Sequence, residues 1–325
     1  MFVVSGLVIA ACGDVTDSGT TVLADAPSTT ASEPGTTVTS KQTTTAIMDV
    51  PEGRLLFSRF VEATHTFTGM FVSSADGTDE AEAPLPGPEG RGRWSRSGTE
   101  IAVMTVLADE RIGTAIIAED GTVLRVLEIS DPTLNLVCTI WSSDDARLAC
   151  EGWDDTDSSR HGIYSVDSSD GGALRRSTTP TDGMSDLPGD FSSDGLLVFK
   201  RYSGDEAPGQ LMLVDANGGE PRPLSQGPME DAGRFAPGRR SVVTSVDGHL
   251  EVIDLDGIVL EEIAGDGAFL FGPAWSPDGT RIAFSMAVDG PFADIYTSPL
   301  NGTDRRRVTS TPVNEIEVDW SIDAG

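Results

Sequence analysis

Beyond residue 50 the chain is a succession of short apolar runs, each closed by a polar turn. Runs such as EIAVM (100–104), LLVFK (196–200) and RIAFS (281–285) have the length and make-up of buried β-strands. Aligning the runs exposes a repeated phrase: an aromatic residue, a short turn, then a strand. Its clearest copy is PAWSPDGTRIAFS (273–285), and it recurs as GRWSRSGTEIAVM from Gly92, TIWSSDDARLACE from Thr139, GDFSSDGLLVFKR from Gly189 and GRFAPGRRSVVTS from Gly233. The aromatics are Trp94, Trp141, Phe191, Phe235 and Trp275, spaced 40 to 50 residues apart, which is room for four short strands and their turns.

A second phrase follows each copy: an apolar strand, a turn with Gly or Asn-Gly, and a final strand, as in DIYTSPLNGTDRRRVTS (294–310). Six second phrases stand against five complete first phrases. The sixth is split between the ends: EVDWSIDAG (317–325) supplies Trp320 and the turn, and EGRLLFSRF (52–60) supplies the strand. An open solenoid needs polar capping repeats, whereas a closed ring can build one repeat from both termini and so protect its strand edges. The pattern therefore predicts an all-β, six-bladed β-propeller over 51–325, closed by pairing of its N- and C-terminal strands. Ser and Asp in the S-x-D-G turn would bond local backbone, and Gly would take positive φ.

Composition narrows the function. With 22 Lys and Arg against 52 Asp and Glu, the net charge of −30 opposes a phosphate backbone, so nucleic acid is excluded as a partner. Residues 13–50 are rich in Thr and Ser and poor in large apolar side chains. They cannot bury enough surface to offset their ordering entropy and read as a disordered tether. Residues 1–12, MFVVSGLVIAAC, form an apolar run too short to span a bilayer, ending in Ile9-Ala10-Ala11-Cys12. This resembles a bacterial lipoprotein signal, although no Lys or Arg precedes the run. The resemblance implies lipidation of Cys12 and an extracytoplasmic protein held at the bacterial cell membrane or cell surface by its lipid alone.

The phrase PAWSPDGTRIAFS with DIYTSPLNGTDRRRVTS is similar to the TolB-type, WD40-like propeller repeat of bacterial periplasmic and surface proteins. That resemblance covers about residues 52–325. It implies a monomeric scaffold that binds a protein or cell-envelope component, and it specifies fold better than function.

Candidate chemistry is sparse. Cys138 and Cys150 fall almost opposite each other in one repeat, and a disulfide is expected in an exported protein, with two buried thiols as the alternative. His65, His161 and His249 lack metal-protease spacing, and no nucleophile elbow or phosphate loop appears, so a non-enzymatic role without cofactor or metal is expected. The turn aspartates Asp76, Asp194 and Asp278 are assigned to turn stabilisation. For a partner, the strand connections of one face offer a binding rim of His65, Arg93, Trp153, Asp154, Asp155, Arg234, Phe292 and Glu315, in which Trp153 reads as a partner hot spot or sugar-stacking platform, or equally as a loop tryptophan folded back onto its own blade. The alternative is a carbohydrate, small-molecule or hydrolytic site in the central funnel.

Overall fold

The computed structural model describes residues 51–323 except 88–89, 182, 205–208 and 289–291. Residues 1–50, on which the expected leader, the lipidation of Cys12 and the expected tether fall, lie outside the described residues. Six four-stranded antiparallel sheets make six blades. Blade one runs from inner to outer strand as Asn314–Ser321, Arg54–Val61, Thr66–Ser74 and Ala81–Ala83. Blade two is Gly92–Trp94, Ile101–Val106, Ile112–Ile117 and Val123–Val126, and blade three is Asn135–Trp141, Arg147–Trp153, Gly162–Asp167 and Arg175–Arg176. Blade four is Ser185–Phe191, Leu196–Tyr202, Gly209–Asp215 and Arg222–Met229. Blade five is Arg234–Phe235, Ser241–Val246, His249–Asp254 and Val259–Ile263, and blade six is Phe269–Trp275, Arg281–Ala287, Ala293–Pro299 and Arg306–Arg307.

Blade one closes the ring as the split phrase requires. Leu55 pairs with Trp320 and Arg54 with Ser321 in an antiparallel ladder. Within blade one no covalent bond joins the C-terminal Asn314–Ser321 strand to the N-terminal Arg54–Val61 strand, so this ladder and its side chains hold the two ends together.

Each inner-strand aromatic packs backwards onto the preceding blade. Trp94 lies with Leu56, Met70 and Val72 of blade one, Trp275 with Val243 and Val252 of blade five, and Phe191 with Ile140, Ala149 and Ile163 of blade three. A flat ring at this point fills the wedge between two twisted sheets and removes a large apolar area from water. The indole N–H adds direction. Trp141 Nε1 donates to the Arg93 carbonyl at 3.1 Å, and Trp275 Nε1 to the Arg234 carbonyl at 3.0 Å, each one blade back.

The turns behave as their residues dictate. In blade six Ser276 Oγ donates to Asp278 at 2.6 Å and accepts from Arg281 N at 2.9 Å, while Thr280 N donates to Asp278 at 3.0 Å. Gly279 takes φ +68, a region costly for residues with a Cβ. Asp76 and Asp194 likewise accept from Thr78 and Ser192.

Candidate functional site

Strand direction sorts the connections into two faces. The tight aromatic-to-strand turns lie on one face; the links between blades and between second and third strands lie on the other, here called the loop face. Inner strands run from the loop face towards the turn face, so residues near their aromatics lie deep in the channel.

The eight predicted rim residues fall into three groups. His65, Phe292 and Glu315 belong to blades one and six. His65 is exposed with φ +50, and its ring stands edge-on to Phe60, which stands edge-on to Phe67 at 5.2 Å. Phe60 joins Phe271, Ala293 and Ile316 in a small apolar cluster fringed by Phe67 and Phe269. Phe292 precedes Ala293 of that cluster and is itself 39% exposed. Glu315 is enclosed: its Oε1 accepts from Arg59 Nε at 2.9 Å and from Thr311 Oγ1 at 3.1 Å, while Oε2 is buried without a partner. Burial pushes its pKa up, against the lowering by its partners.

Trp153, Asp154 and Asp155 lie on blade three, opposite blade six. The acidity of this loop is largely consumed internally. Trp153, half-buried, donates its Nε1 to Asp155 at 3.2 Å, and Asn135 Nδ2 donates to the same carboxylate at 3.1 Å. Asp154 accepts from Thr156 N and Oγ1 and from Arg160 at 3.1 Å, and Asp157 accepts from Ser159 N at 3.0 Å. The Thr156 hydroxyl and N–H hold the Asp154 carboxyl down at about 2.

Arg93 and Arg234 lie apart from both groups, deep in the channel beside their aromatics. The residue before the inner aromatic follows a sequence around the ring: Asp319, Arg93, Ile140, Asp190, Arg234, Ala274. The order acid, arginine, apolar is thus repeated twice. Ile140 and Ala274 pack on the next blade's aromatic, whereas Asp319 accepts from Trp94 N at 2.8 Å and Asp190 from Phe235 N at 3.0 Å. The two acids therefore fasten neighbouring inner strands where the other seams use apolar contact or an indole N–H.

Further charged groups join this layer. Arg93 Nη2 donates to Glu317 at 3.0 Å, and Arg91 Nε stands 3.8 Å from the same carboxylate. Burial acts most strongly on Glu317 and raises its pKa, but Arg93, Arg91 and Arg234 together outweigh it, leaving the carboxyl below its ordinary range. Glu317 also has φ +58 within an inner strand, where its counterpart three residues before Trp275 is Gly272, φ +61. Arg96, in the blade-two turn, reaches past blade three to pair with Asp190 of blade four and also donates to the Trp141 carbonyl. That pair lies on the turn side, beside the end of blade three's inner strand. Arg91, Arg96, Asp190, Glu317 and Asp319 were not among the predicted site residues. The signal for Asp190 and Asp319 was the alternating charge in the column before the aromatic, readable once the phrases are aligned.

No family model matches the chain. Two curated proteins match parts of it: Tol-Pal system protein TolB of Methylococcus capsulatus is 32% identical over 87 residues, and that of Anaeromyxobacter dehalogenans 38% over 50 residues. These matches take in 25% and 15% of this chain and span 20% and 11% of the relatives' length. Among solved structures, TolB from Acinetobacter baumannii superposes with a TM-score of 0.62 at 16% identity, over 83% of this chain and 67% of its own. The propeller is TolB-like. Hydrazine synthase of Kuenenia stuttgartiensis also reaches 0.62 at 14% identity, over 83% of this chain and 47% of its own. One fold thus serves a Tol-Pal system protein and an enzyme, so function must be argued from residues.

The described residues offer little reactive chemistry. His249 is paired with Glu251 at 3.3 Å, and His65 rests on Phe60. The turn serines Ser142, Ser192 and Ser276 accept from backbone N–H and donate to the neighbouring turn aspartates. What the surface offers is recognition: apolar aromatic area on the loop face and a concentration of arginine in the channel.

Proposed function

We propose that this chain is an extracytoplasmic, lipid-anchored propeller that binds a protein or cell-envelope component without catalysis, using the loop face. The observation that carries the reading is the aromatic cluster on the closing seam, where exposed His65 stands on Phe60 beside Phe67 and Phe269, and exposed Phe292 adjoins Ala293 of the same cluster in sequence. Aromatic side chains bury much area at low conformational cost and are enriched at binding hot spots. Trp153, with Asp154 and Asp155, provides a second anchor across the channel mouth. The partial likeness to Tol-Pal system proteins supports an envelope setting, and acylation of Cys12 supplies the attachment.

The test uses purified protein immobilised against an envelope extract, comparing the wild type with Phe292→Ala and Trp153→Ala. A partner recovered by the wild type and lost by either variant, with melting temperature unchanged, supports the loop face. Equal recovery by both variants overturns it. For the anchor, Cys12→Ala should move the expressed protein from the detergent-rich to the aqueous phase; unchanged partitioning overturns lipidation.

A further inference from the structure

We infer that the channel holds a binding site for a single carboxylate, with the Arg234 guanidinium as its anchor and Arg93 beside it. This inference is independent of the loop-face reading. Arg234 is partly buried on the inner strand of blade five, and its one side-chain hydrogen bond goes from Nη1 to the Gly189 carbonyl at 3.1 Å. Among the described residues no carboxylate oxygen comes within 4.0 Å of it. In a chain with 52 acidic residues, a partly buried guanidinium that forms no ion pair among the described residues is unusual, because a charge taken even partly out of water without a paired counter-charge is costly.

The neighbouring acids are already engaged. Asp190 accepts from Phe191 N and Phe235 N and pairs with Arg96; Asp319 accepts from Trp94 N; Glu317 pairs with Arg93. Each is already held to an inner strand or to another arginine. Burial first, and then the charge of Arg93, pull the Arg234 pKa down to about 10 against the opposing pull of Asp319, Asp190 and Glu317, which stand near it without pairing.

The surroundings also select the ligand. A guanidinium binds a carboxylate through two parallel N–H···O bonds, and its planar fork suits that geometry. Asp190, Glu317 and Asp319 stand around the site, and a doubly charged phosphate would meet their repulsion, whereas one carboxylate supplies the single missing charge. The Arg96–Asp190 pair lies on the turn side of the site, beside the end of blade three's inner strand. Its source is either a small monocarboxylate or the C-terminal carboxylate of a peptide.

Calorimetric titrations of the whole soluble propeller with acetate, inorganic phosphate, a tripeptide with a free C-terminus and the same tripeptide amidated separate these cases. Saturable binding of acetate or of the free-acid peptide, with the amide and phosphate weaker, is expected. Arg234→Gln should weaken it about tenfold or more, and Arg234→Lys should restore part of it. Arg239→Gln, on an exposed turn of the same blade, should leave it unchanged. Acetate alone binding points to a small metabolite, and preference for the free-acid peptide points to a chain terminus. No saturable binding of either carboxylate, tighter binding of phosphate, or equal binding by Arg234→Gln overturns the site. The melting temperature distinguishes a structural role: the unliganded Arg234→Gln protein should melt no lower than the wild type. A lower value together with unchanged binding would mark Arg234 as a clamp on Gly189.

Discussion

The indole N–H of Trp320 donates to the main-chain carbonyl of Glu52 at 2.9 Å, across 268 positions of sequence. With the Leu55–Trp320 pairing it locks the C-terminal strand to the N-terminal one, and the same indole packs on Ala274, Ala283 and Ile295 of blade six. One side chain thus seals both the blade and the last inter-blade seam.

Trp320→Ala should therefore destabilise the propeller by about 3–5 kcal/mol, the range for emptying a buried aromatic site. Deleting 317–325 should go further, leaving the Arg54–Val61 strand with an open apolar edge prone to aggregation. Urea denaturation followed by tryptophan fluorescence measures the first, and light scattering the second. An unchanged midpoint for Trp320→Ala would show that the ring does not depend on this closure.

Cys138 and Cys150 pair in register across the first two strands of blade three, and their sulfurs are joined, closing a loop with sequence separation 12. A loop of this size restricts the unfolded chain by about 3 kcal/mol in the chain-entropy account. Unfolding with reductant, or of the Cys138→Ala/Cys150→Ala double variant, should show stability lower by about 2–3 kcal/mol. Thiol titration of unfolded, unreduced protein should find neither cysteine free; two titrating thiols would rule the bridge out.

Two kinds of carboxylate set opposite limits on stability against pH. Burial raises the pKa of Glu315 and of Glu230, so the folded state holds these protons more tightly than the unfolded chain. Their contribution is complete below the ordinary glutamate value of about 4.3 and is lost as pH rises through the raised folded values. Asp154 works the other way. Held down at about 2, it stabilises above the ordinary aspartate value of about 3.9 and loses that contribution as pH falls towards its folded pKa. Denaturation midpoints measured against pH should therefore fall on both sides of a mildly acidic optimum. Glu315→Gln should flatten the limb towards neutral pH, and Asp154→Asn the acid limb. Unchanged profiles in both variants would remove these groups as the cause.

The pairing of the Arg54–Val61 and Asn314–Ser321 strands was legible in the sequence because both halves of the split phrase keep the local pattern of the intact copies. The turns were legible for the same reason: Ser276, Asp278 and Gly279 act on backbone within a few residues. The site was less so. The sequence groups Arg93 and Arg234 with a rim, yet both lie near the aromatic ends of inner strands, and Glu315 is enclosed by Arg59 and Thr311.

What the sequence by itself determined is the repeating unit, the number of blades and the place where the ring closes. Those properties rest on short-range periodicity: strand length, turn chemistry and one aromatic per repeat. Only the tertiary structure decided which charges meet. Arg96 and Asp190 are 94 positions apart and Arg93 and Glu317 are 224 apart; the first pair meets because successive blades pack around one axis, and the second because the C-terminal strand returns to close blade one. Arg234 shows the same dependence. Nothing local distinguishes it from the chain's other arginines until the ring encloses it and commits its acidic neighbours elsewhere.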